Sequence, residues 1–307
     1  MNILLTGSTG LIGTALTRHL QTLGHKIYPL YRNPSATKSH YWNPEEDLVH
    51  LDDEIKLDAV IHLAGESIAD SRWSHKKKAS ILNSRVHGTS LLAEAISQLE
   101  HKPELFISGS AIGFYGDTGV NVVDEDSARG TGFLSDVAAQ WEAATQAAED
   151  AGIRTIHLRT GIVLSPEGGV LQKMLLPFSM GLGGVVGNGQ QYMSWISIDD
   201  VVGIITAMLD NDQMTGVYNL VAPNPVTNYT FTKTLGRALR RPTVSPLPAF
   251  MARIMFGEMA DALLLSSSRV ATARLESTGY TFADIDLTET LTRLLDKNNR
   301  TTGNNQR

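Results

Sequence analysis

Short apolar runs alternate with longer stretches of helical spacing over the first half of the chain. Strand-like apolar runs occupy residues 2–6, 26–31, 58–65, 105–108 and 155–158. Helical spacing of apolar residues is found at 11–23, 79–99 and 134–151. Strands that alternate with helices predict a parallel sheet covered by helices on both faces. The expected fold is therefore α/β, with a Rossmann-type doubly wound parallel sheet.

The pattern changes after Leu164, where glycines interrupt it repeatedly. Helices are predicted at 171–180, 199–209, 231–239, 249–259 and 269–277, with a strand at 217–220. We assign residues 1–165 to the Rossmann-type domain and expect 199–222 to return to it. Residues 166–298 form a smaller, mainly helical C-terminal lobe on the substrate side. The polar residues 299–307 are predicted to be a disordered tail.

Composition excludes several classes of function. The chain has 307 residues, a hydrophobic fraction of 42% and a formal net charge of −6. We expect no nucleic-acid partner, because the sequence has no obvious basic face. We expect no membrane partner and no signal peptide, because the apolar runs are far shorter than the roughly 20 residues of a span and a strand-like run starts at Asn2. The absence of cysteine excludes thiolate chemistry and suits a cytoplasmic protein. No His, Asp or Glu cluster has metal-ligand spacing, so we expect no metal.

A glycine-rich turn joins the first strand to the first helix. Glycine stands at the first, fourth and seventh positions of Gly7-Ser8-Thr9-Gly10-Leu11-Ile12-Gly13. Glycines in such a turn let a pyrophosphate approach the backbone N–H groups at the helix N-terminus. This motif predicts a dinucleotide site formed by Gly7, Ser8, Thr9, Gly10, Leu11, Ile12 and Gly13.

The end of the second strand distinguishes NAD from NADP. NAD sites place an acidic residue about 20 residues beyond the glycines, where it accepts a hydrogen bond from the ribose 2′-hydroxyl. This chain has Tyr31 and Arg32 there instead. A guanidinium binds a 2′-phosphate, whereas a carboxylate repels it. We therefore expect NADP as the cofactor, with Arg32 on a merely solvated loop as the alternative.

Several separate motifs resemble one known group. The glycine-rich turn, residues 62–65 (HLAG) and residues 108–116 (SGSAIGFYG) are similar to extended and atypical short-chain dehydrogenase/reductases, the superfamily of sugar-nucleotide epimerases. More specific similarity to the uncharacterised "epimerase family protein" group, which ends in a small domain of unknown function, is found at 65–73, 83–86, 141–142, 168–174, 195–200 and 264–270. The resemblance covers the chain apart from its tail. It implies the Rossmann-type fold and NADP binding, but no particular substrate.

The resemblance implies further cofactor contacts, at Leu63, Ala64, Gly65, Glu66, Arg85, Ser108 and Glu142. The first three would follow the adenosine-to-ribose path, and Ser108 would lie near the nicotinamide ribose. Glu66 would accept a hydrogen bond from a ribose hydroxyl or from an arginine. Arg85 stands where extended members usually carry an asparagine. Glu142 either reaches a ribose hydroxyl or is a solvated helix residue.

The usual catalytic pair of the superfamily is missing. Its members transfer a proton through a Tyr, whose pKa is lowered by a Lys four residues later. When Glu142 is aligned with that helix, Leu134 and Ala138 take these positions, and a shift of one gives Phe133 and Val137. Neither register restores the pair, and loss of general acid–base help costs roughly 10²–10⁴ in rate.

Two residues remain as catalytic candidates. Ser110 matches the superfamily's catalytic serine, which donates a hydrogen bond to the substrate oxygen. Tyr115 either replaces the lost tyrosine as the acid or packs beneath its loop. Elsewhere, Arg72, Lys173 and Arg269 are candidates for contact with an anionic substrate.

The sequence therefore leaves more than one function open. One is an NADP(H)-dependent oxidoreductase or epimerase-like enzyme with a small substrate that is anionic or sugar-like. The alternative is a non-catalytic protein that binds or senses NADP(H). A third is an interaction scaffold whose second lobe binds a protein. The sequence predicts neither the substrate nor the oligomeric state.

Overall fold

The computed structural model describes residues 1–32, 40–52 and 54–303. Its strands are β1 (Asn2–Thr6), β2 (Lys26–Pro29), β3 (Tyr41–Asn43), β4 (Leu48–His50), β5 (Ala59–His62), β6 (Leu105–Ala111), β7 (Arg154–Thr160), β8 (Ile162–Leu164), β9 (Tyr192–Met193), β10 (Trp195–Ser197), β11 (Gly216–Leu220) and β12 (Val226–Thr227). Its α-helices are α1 (Leu11–Thr22), α2 (His75–Ser97), α3 (Phe133–Ala143), α4 (Gln146–Asp150), α5 (Gly169–Ser179), α6 (Ile198–Asp210), α7 (Asn228–Ala238), α8 (Ala249–Phe256), α9 (Ala273–Ser277) and α10 (Leu287–Gly303). A π-helical segment follows α8 at Ala260–Leu265. None of the helices in these ranges is long and apolar enough to cross a bilayer.

The central sheet is parallel and has six strands in the order β11-β7-β6-β5-β1-β2. From β1 the chain moves outward to β2, and it later returns to the other side of β1 to form β5. This reversal creates a topological switch point between β1 and β5, where doubly wound sheets bind their ligands. Thr6 of β1 is paired with His62 of β5, which is paired in turn with Ser108 of β6. The predicted Rossmann-type α/β fold is confirmed.

Apolar runs form the interior strands because helices cover both faces of the sheet. Leu4, Val60 and Phe106, on three neighbouring strands, are completely buried. Leu92 and Ile96 of α2 pack into the same cluster. Burial on both faces explains why these strands are continuously apolar instead of alternating.

The chain divides into two compact units. The first contains residues 1–114, 132–159 and 202–218, and the second contains 115–131, 160–201 and 219–307. These bounds differ from the expected division at residue 165, because the segment 115–131 joins the second unit. The core of the second unit is built around Trp195, Phe231 and Leu291.

A buried carboxylate holds together distant segments of the second unit. Asp200 accepts hydrogen bonds from the backbone N–H groups of Ala283 at 2.8 Å and Asp284 at 3.0 Å. Its own N–H donates to Ser197 Oγ, so Ser197 caps α6. Burial raises the pKa of Asp200, and these donors partly oppose that effect.

Some predicted helix bounds differ from the structure. The helix expected at 134–151 is divided into α3 and α4, because the Thr145 hydroxyl lies 2.8 Å from the Glu142 carbonyl oxygen and competes with the helical pattern. The helix expected at 269–277 is limited to α9, since the N–H groups of Arg269 and Val270 donate to Thr118 and Ser194. Helix α10 includes residues 299–303 of the tail predicted to be disordered, and 304–307 lie outside the described residues.

Candidate functional site

The glycine-rich turn lies at the switch point, between β1 and α1. Gly7 has a φ of +67°, and a Cβ there would lie 2.8 Å from the carbonyl carbon of Leu63. A Cβ on Gly13 would lie 2.2 Å from the Gly7 oxygen, whereas one on Gly10 would lie 3.2 Å from it. Gly10 caps α1 without a side-chain hydrogen bond, and the first turn holds no acidic residue. The N–H groups of this helix end therefore suit an anion.

The remaining residues of the turn differ in exposure. Thr9 is exposed with Gly10, whereas Leu11 and Ile12 are half-buried. The Ser8 carbonyl accepts a hydrogen bond from the Thr14 hydroxyl at 3.3 Å. The exposed edge of the turn thus consists mainly of backbone, as a pyrophosphate cradle requires.

The end of β5 is tied to this turn through Thr6. The N–H groups of Leu63 and Ala64 both donate to Thr6 Oγ1 at 3.1 Å. His62 Nδ1 lies 2.7 Å from the same oxygen. Burial, together with the charge of Arg85, lowers the pKa of His62 to about 3, so this ring is neutral near pH 7. Hydrogen bonds between uncharged groups therefore hold the end of β1 to the end of β5 and the residues that follow it.

Tyr31 and Arg32 follow β2, which is paired with β1. Tyr31 is half-buried, and its carbonyl accepts a hydrogen bond from Trp42 at 2.8 Å. Arg32 is exposed, three residues beyond Pro29, which forms the last register pair with Leu5. Arg32 thus follows β2. The neighbouring strand, β1, leads directly into the glycine-rich turn.

The loop after Gly65 is held against α2. Ser84 Oγ accepts a hydrogen bond from the Glu66 N–H at 3.0 Å, and Arg85 donates to the Glu66 carbonyl at 2.9 Å. The Glu66 carboxylate pairs with Lys77 at 2.5 Å. Burial lowers the pKa of Arg85 to about 10. Arg85 thus contacts the backbone of Glu66, while Lys77 neutralises the Glu66 carboxylate.

Ser110 is part of a buried ionic cluster. Its hydroxyl donates to Glu142 Oε1 at 2.6 Å. Arg159 binds the same carboxylate through two contacts, Nε to Oε1 and Nη2 to Oε2, each 2.8 Å long. The Arg159 guanidinium also lies 3.4 Å from the centre of the Phe114 ring. Glu142 is therefore an ion-pair partner, neither a solvated residue nor a free carboxylate.

Arg159 is the residue that the sequence analysis missed. It is the last residue but one of β7 and its side chain is only 4% exposed, so its charge requires a partner. An arginine at the end of an apolar run was the available signal. The partner is 17 residues away in sequence, which is why spacing did not identify it.

Aliphatic and aromatic packing occupies the region of the missing Tyr–Lys pair. Leu134 lies against Gly113, where a Cβ would be 3.2 Å from the Leu134 Cβ. Ala138 is 2% exposed. The neighbouring Phe133 contacts Trp73 edge to face at 5.2 Å and Lys78 at 4.6 Å. In both registers considered, the helix contributes packing at these positions.

Tyr115 and Ser108 each have buried hydroxyl groups with hydrogen-bond partners. The Tyr115 hydroxyl donates to Asn219 Oδ1 at 2.8 Å, and Tyr115 is 4% exposed. Ser108 is completely buried, with its hydroxyl 3.3 Å from the Gly109 carbonyl. Either hydroxyl would have to leave its present partner to donate to a ligand.

The other candidates for anion contact fall in different units. Arg72 is an exposed residue of the first unit, and Lys173 is an exposed residue of the second. Arg269 donates to the Val120 carbonyl and lies over the Tyr192 ring at 4.6 Å. Arg269 therefore has a structural role within the second unit.

Comparison with known families shows to which family this chain belongs. The model of the NAD dependent epimerase/dehydratase family matches residues 3–220, and a domain of unknown function, DUF1731, matches 247–294. The chain belongs to the NAD dependent epimerase/dehydratase family. The family-level resemblance inferred from the sequence is thereby confirmed.

Individual relatives agree with this assignment. The epimerase family protein Mb2239 of Mycobacterium bovis is 41% identical, with 91% of this chain and 93% of the relative covered. The crystal structure of the human epimerase family protein SDR39U1, solved with NADPH, has a TM-score of 0.89 and 35% identity and covers 96% of this chain and 99% of that chain. A nucleoside-diphosphate sugar epimerase from Corynebacterium glutamicum has a TM-score of 0.79 and 36% identity, covering 96% of this chain and 58% of that chain.

Proposed function

We propose that this chain binds NADPH at the switch point and acts as an oxidoreductase or epimerase-like enzyme on a small substrate. The observation that carries the proposal is the glycine cradle, in which side chains at Gly7 or Gly13 would collide with backbone. It is supported by the NADPH in the crystal structure of human SDR39U1. The absence of cysteine supports a cytoplasmic location for this activity.

The chain's own residues fit NADPH. The N–H groups at the start of α1 would hold the pyrophosphate, and Arg32 would bind the 2′-phosphate. Leu63, Ala64 and Gly65 would border the adenosine and ribose. When bound, the cofactor would supply the redox chemistry, because its nicotinamide ring accepts a hydride as NADP⁺ and donates one as NADPH.

In this proposal Ser110 contacts the substrate oxygen. Its single proton is donated to Glu142 in the structure, so its remaining hydrogen-bonding capacity is that of an acceptor. A substrate hydroxyl meets this requirement directly, whereas a carbonyl requires Ser110 to turn away from Glu142. Glu142 and Arg159 act as positioning residues, because they fix the direction of the serine hydroxyl. A small anionic or sugar-like hydroxy compound is the substrate class that we propose. It would be oxidised by hydride transfer to NADP⁺, and NADPH would return the hydride to the resulting carbonyl compound.

The test has two parts. NADPH and NADH are titrated into the wild-type protein and Gly10→Val, because a side chain at Gly10 meets only one oxygen at 3.2 Å and should spare the fold while blocking the pyrophosphate. Binding to the wild type and its loss in the variant are expected. Reduction of NADP⁺ is then followed with a panel of hydroxy compounds, including sugars, and oxidation of NADPH with the corresponding carbonyl compounds. No NADPH binding by the wild type would refute the proposal.

One alternative function has a specific observation in its favour. The hydroxyl protons of Ser110 and Tyr115 are both donated to internal acceptors, Glu142 and Asn219. Leu134 and Ala138 cannot transfer protons. A protein that binds or senses NADP(H) without turnover would have this arrangement. Tight NADPH binding with no oxidation across the whole panel would favour this alternative.

A further inference from the structure

Charge is distributed very unevenly along the second unit. The chain carries a net charge of −6, yet the segments 168–198 and 219–257 contain six Lys or Arg residues and no Asp or Glu. Acid-free segments of this length are unexpected in an acidic protein. Their charge indicates contact with an anionic partner.

The fold brings parts of these two segments side by side. Leu247 donates its N–H to the Val185 carbonyl and accepts from the Gly187 N–H, each at 2.9 Å. A Cβ on Gly181 would lie 3.8 Å from the Pro242 ring. The end of α5, residues 181–187, residues 237–247 and α8 therefore form one region, which we call the α5–α8 surface.

The basic residues of this surface are exposed. Arg237, Arg240 and Arg241 all lie at the end of α7 or directly after it. Arg237 and Arg240 line a hollow that also contains Asp296 of α10. Arg253 of α8 is paired with Asp261 at 2.9 Å. These four exposed arginines outnumber the two acidic neighbours, Asp261 and Asp296, so this edge is cationic.

The same surface exposes large apolar side chains. Phe250 and Ile254 of α8 are 62% and 69% exposed, and Ala252 is the buried residue of that helix. Leu176 and Val244 are 70% and 75% exposed. Internal packing does not explain a helix that turns phenylalanine and isoleucine toward solvent, and contiguous exposed apolar residues mark interaction sites.

We infer that the α5–α8 surface docks onto a lipid bilayer that contains anionic phospholipids. Exposed apolar side chains on a short helix suit shallow insertion between headgroups, and neighbouring arginines attract the anionic lipid. A two-fold contact with a second copy would bring the same arginine-rich edges of both copies into one interface, where like charges repel. Such docking needs no membrane span, so it is compatible with the short apolar runs on which the expectation of no membrane partner rested. It is also independent of NADPH binding.

Co-sedimentation with vesicles tests this inference. The probes are vesicles of phosphatidylcholine alone and vesicles in which about a third of the lipid is phosphatidylglycerol. We expect the full chain to bind the anionic vesicles at least about tenfold more tightly, and to be released as salt screens the arginines. Phe250→Ser with Ile254→Ser, and separately Arg240→Glu with Arg241→Glu, should each weaken binding about tenfold.

Matched controls test whether vesicle binding requires the α5–α8 surface or only exposed apolar and charged residues anywhere on the protein. Val120 and Val122 are 72% and 57% exposed outside the α5–α8 surface, and Lys102 is an exposed cation of the first unit. Val120→Ser with Val122→Ser, and Lys102→Glu, should leave vesicle binding unchanged. The inference is overturned by absent binding, by equal binding to both vesicle types, or by equal losses in the controls. Sedimentation velocity showing a dimer that Phe250→Ser with Ile254→Ser dissociates would equally overturn it.

Discussion

The Thr6 hydroxyl oxygen lies 2.7 Å from Nδ1 of His62, across the register pair that ends β1 and β5. That oxygen already accepts hydrogen bonds from the N–H groups of Leu63 and Ala64, so its single proton must be donated to His62. His62 is therefore the tautomer that carries its proton on Nε2. One threonine thus orients the histidine and the two amides that border the proposed NADPH site.

Replacing Thr6 by valine should weaken NADPH binding. Valine keeps the shape but leaves the N–H groups of Leu63 and Ala64 without their acceptor, which costs about 2 kcal/mol of folding stability. The loosened loop should raise the Kd for NADPH on the order of tenfold. Calorimetric titration and chemical denaturation measure the two effects. Thr6→Ser keeps the hydroxyl and should restore both, and a serine variant as weak as the valine variant would contradict this role.

Acid should destabilise the folded chain through His62. Its pKa is lowered to about 3 in the folded protein, from an ordinary value of 6.5. Between these values the unfolded chain binds a proton that the folded chain does not, so the free energy of unfolding falls as the pH falls through this window. The loss at the acid end should be on the order of a few kcal/mol.

A matched variant isolates this contribution. His62→Asn retains an acceptor for Thr6 but cannot titrate, so its free energy of unfolding should depend less on pH below 6.5. His40 and His157, whose pKa values burial also lowers, are present in both proteins. Urea denaturation at a series of pH values provides the comparison. Parallel pH profiles for the wild type and His62→Asn would show that His62 is not the titrating group.

Arg32 should determine the preference for NADPH over NADH. We expect the wild type to bind NADPH at least about tenfold more tightly, because a guanidinium–phosphate contact readily supplies roughly 1.4 kcal/mol. Arg32→Ala should remove most of that preference while leaving NADH affinity nearly unchanged. Fluorescence titration with both cofactors measures the ratio. Equal affinities in the wild type would exclude Arg32 as the specificity residue.

The contact between Ser110 and Glu142 can be measured with a thiol. The chain contains no cysteine, so Ser110→Cys introduces a single thiol. The carboxylate beside it should raise the thiol pKa above its usual value of about 8.5. Adding Glu142→Gln should lower that pKa by about one unit or more, because only the Arg159 cation then remains nearby.

The pH dependence of iodoacetamide labelling reports the thiol pKa without any substrate. Glu142→Gln leaves Arg159 buried and only partly compensated, so its stability should fall by about 3 kcal/mol. Labelling is therefore measured where circular dichroism shows that both proteins remain folded. Identical pKa values with and without Glu142 would mean that residue 110 does not face this carboxylate.

Tyr115→Phe distinguishes the two roles considered for that residue. Loss of the buried hydrogen bond to Asn219 should cost about 1–2 kcal/mol of stability and leave NADPH affinity unchanged. If Tyr115 acts as the acid, NADPH oxidation in the presence of a turned-over carbonyl compound should instead fall on the order of 10². Thermal denaturation and the oxidation assay together separate the packing role from the acid role.

The features that were predictable from the sequence depend on residues that lie close together along the chain. Continuous apolar runs were enough to predict the parallel sheet, and the spacing of Gly7, Gly10 and Gly13 was enough to locate the switch-point turn. Contacts between distant residues were not predictable in this way. Glu142 and Arg159 come into contact only because β7 packs beside α3. Val270 lies outside the helix predicted for it, because its N–H donates to Ser194.

The α5–α8 surface was missed for a similar reason. Three of the arginines lie within residues 237–241, but 168–198 contributes only Lys173, and the two segments are far apart in sequence. Only the pairing of Leu247 with Val185 and Gly187 brings the two segments together. Solvent exposure of Phe250 also depends on tertiary structure, because the same residue at the same spacing is typical of a buried helix face.

The contacts of the Asp200 carboxylate limit where the chain can be shortened. Asp200 lies within the region matched by the epimerase/dehydratase model, while Ala283 and Asp284, which supply its donors, lie within the DUF1731 match. A chain ended between residues 220 and 247 would retain the acid but lose both amides. Without these donors the Asp200 carboxylate loses two hydrogen bonds, so a chain shortened in this way should be less stable than the full chain.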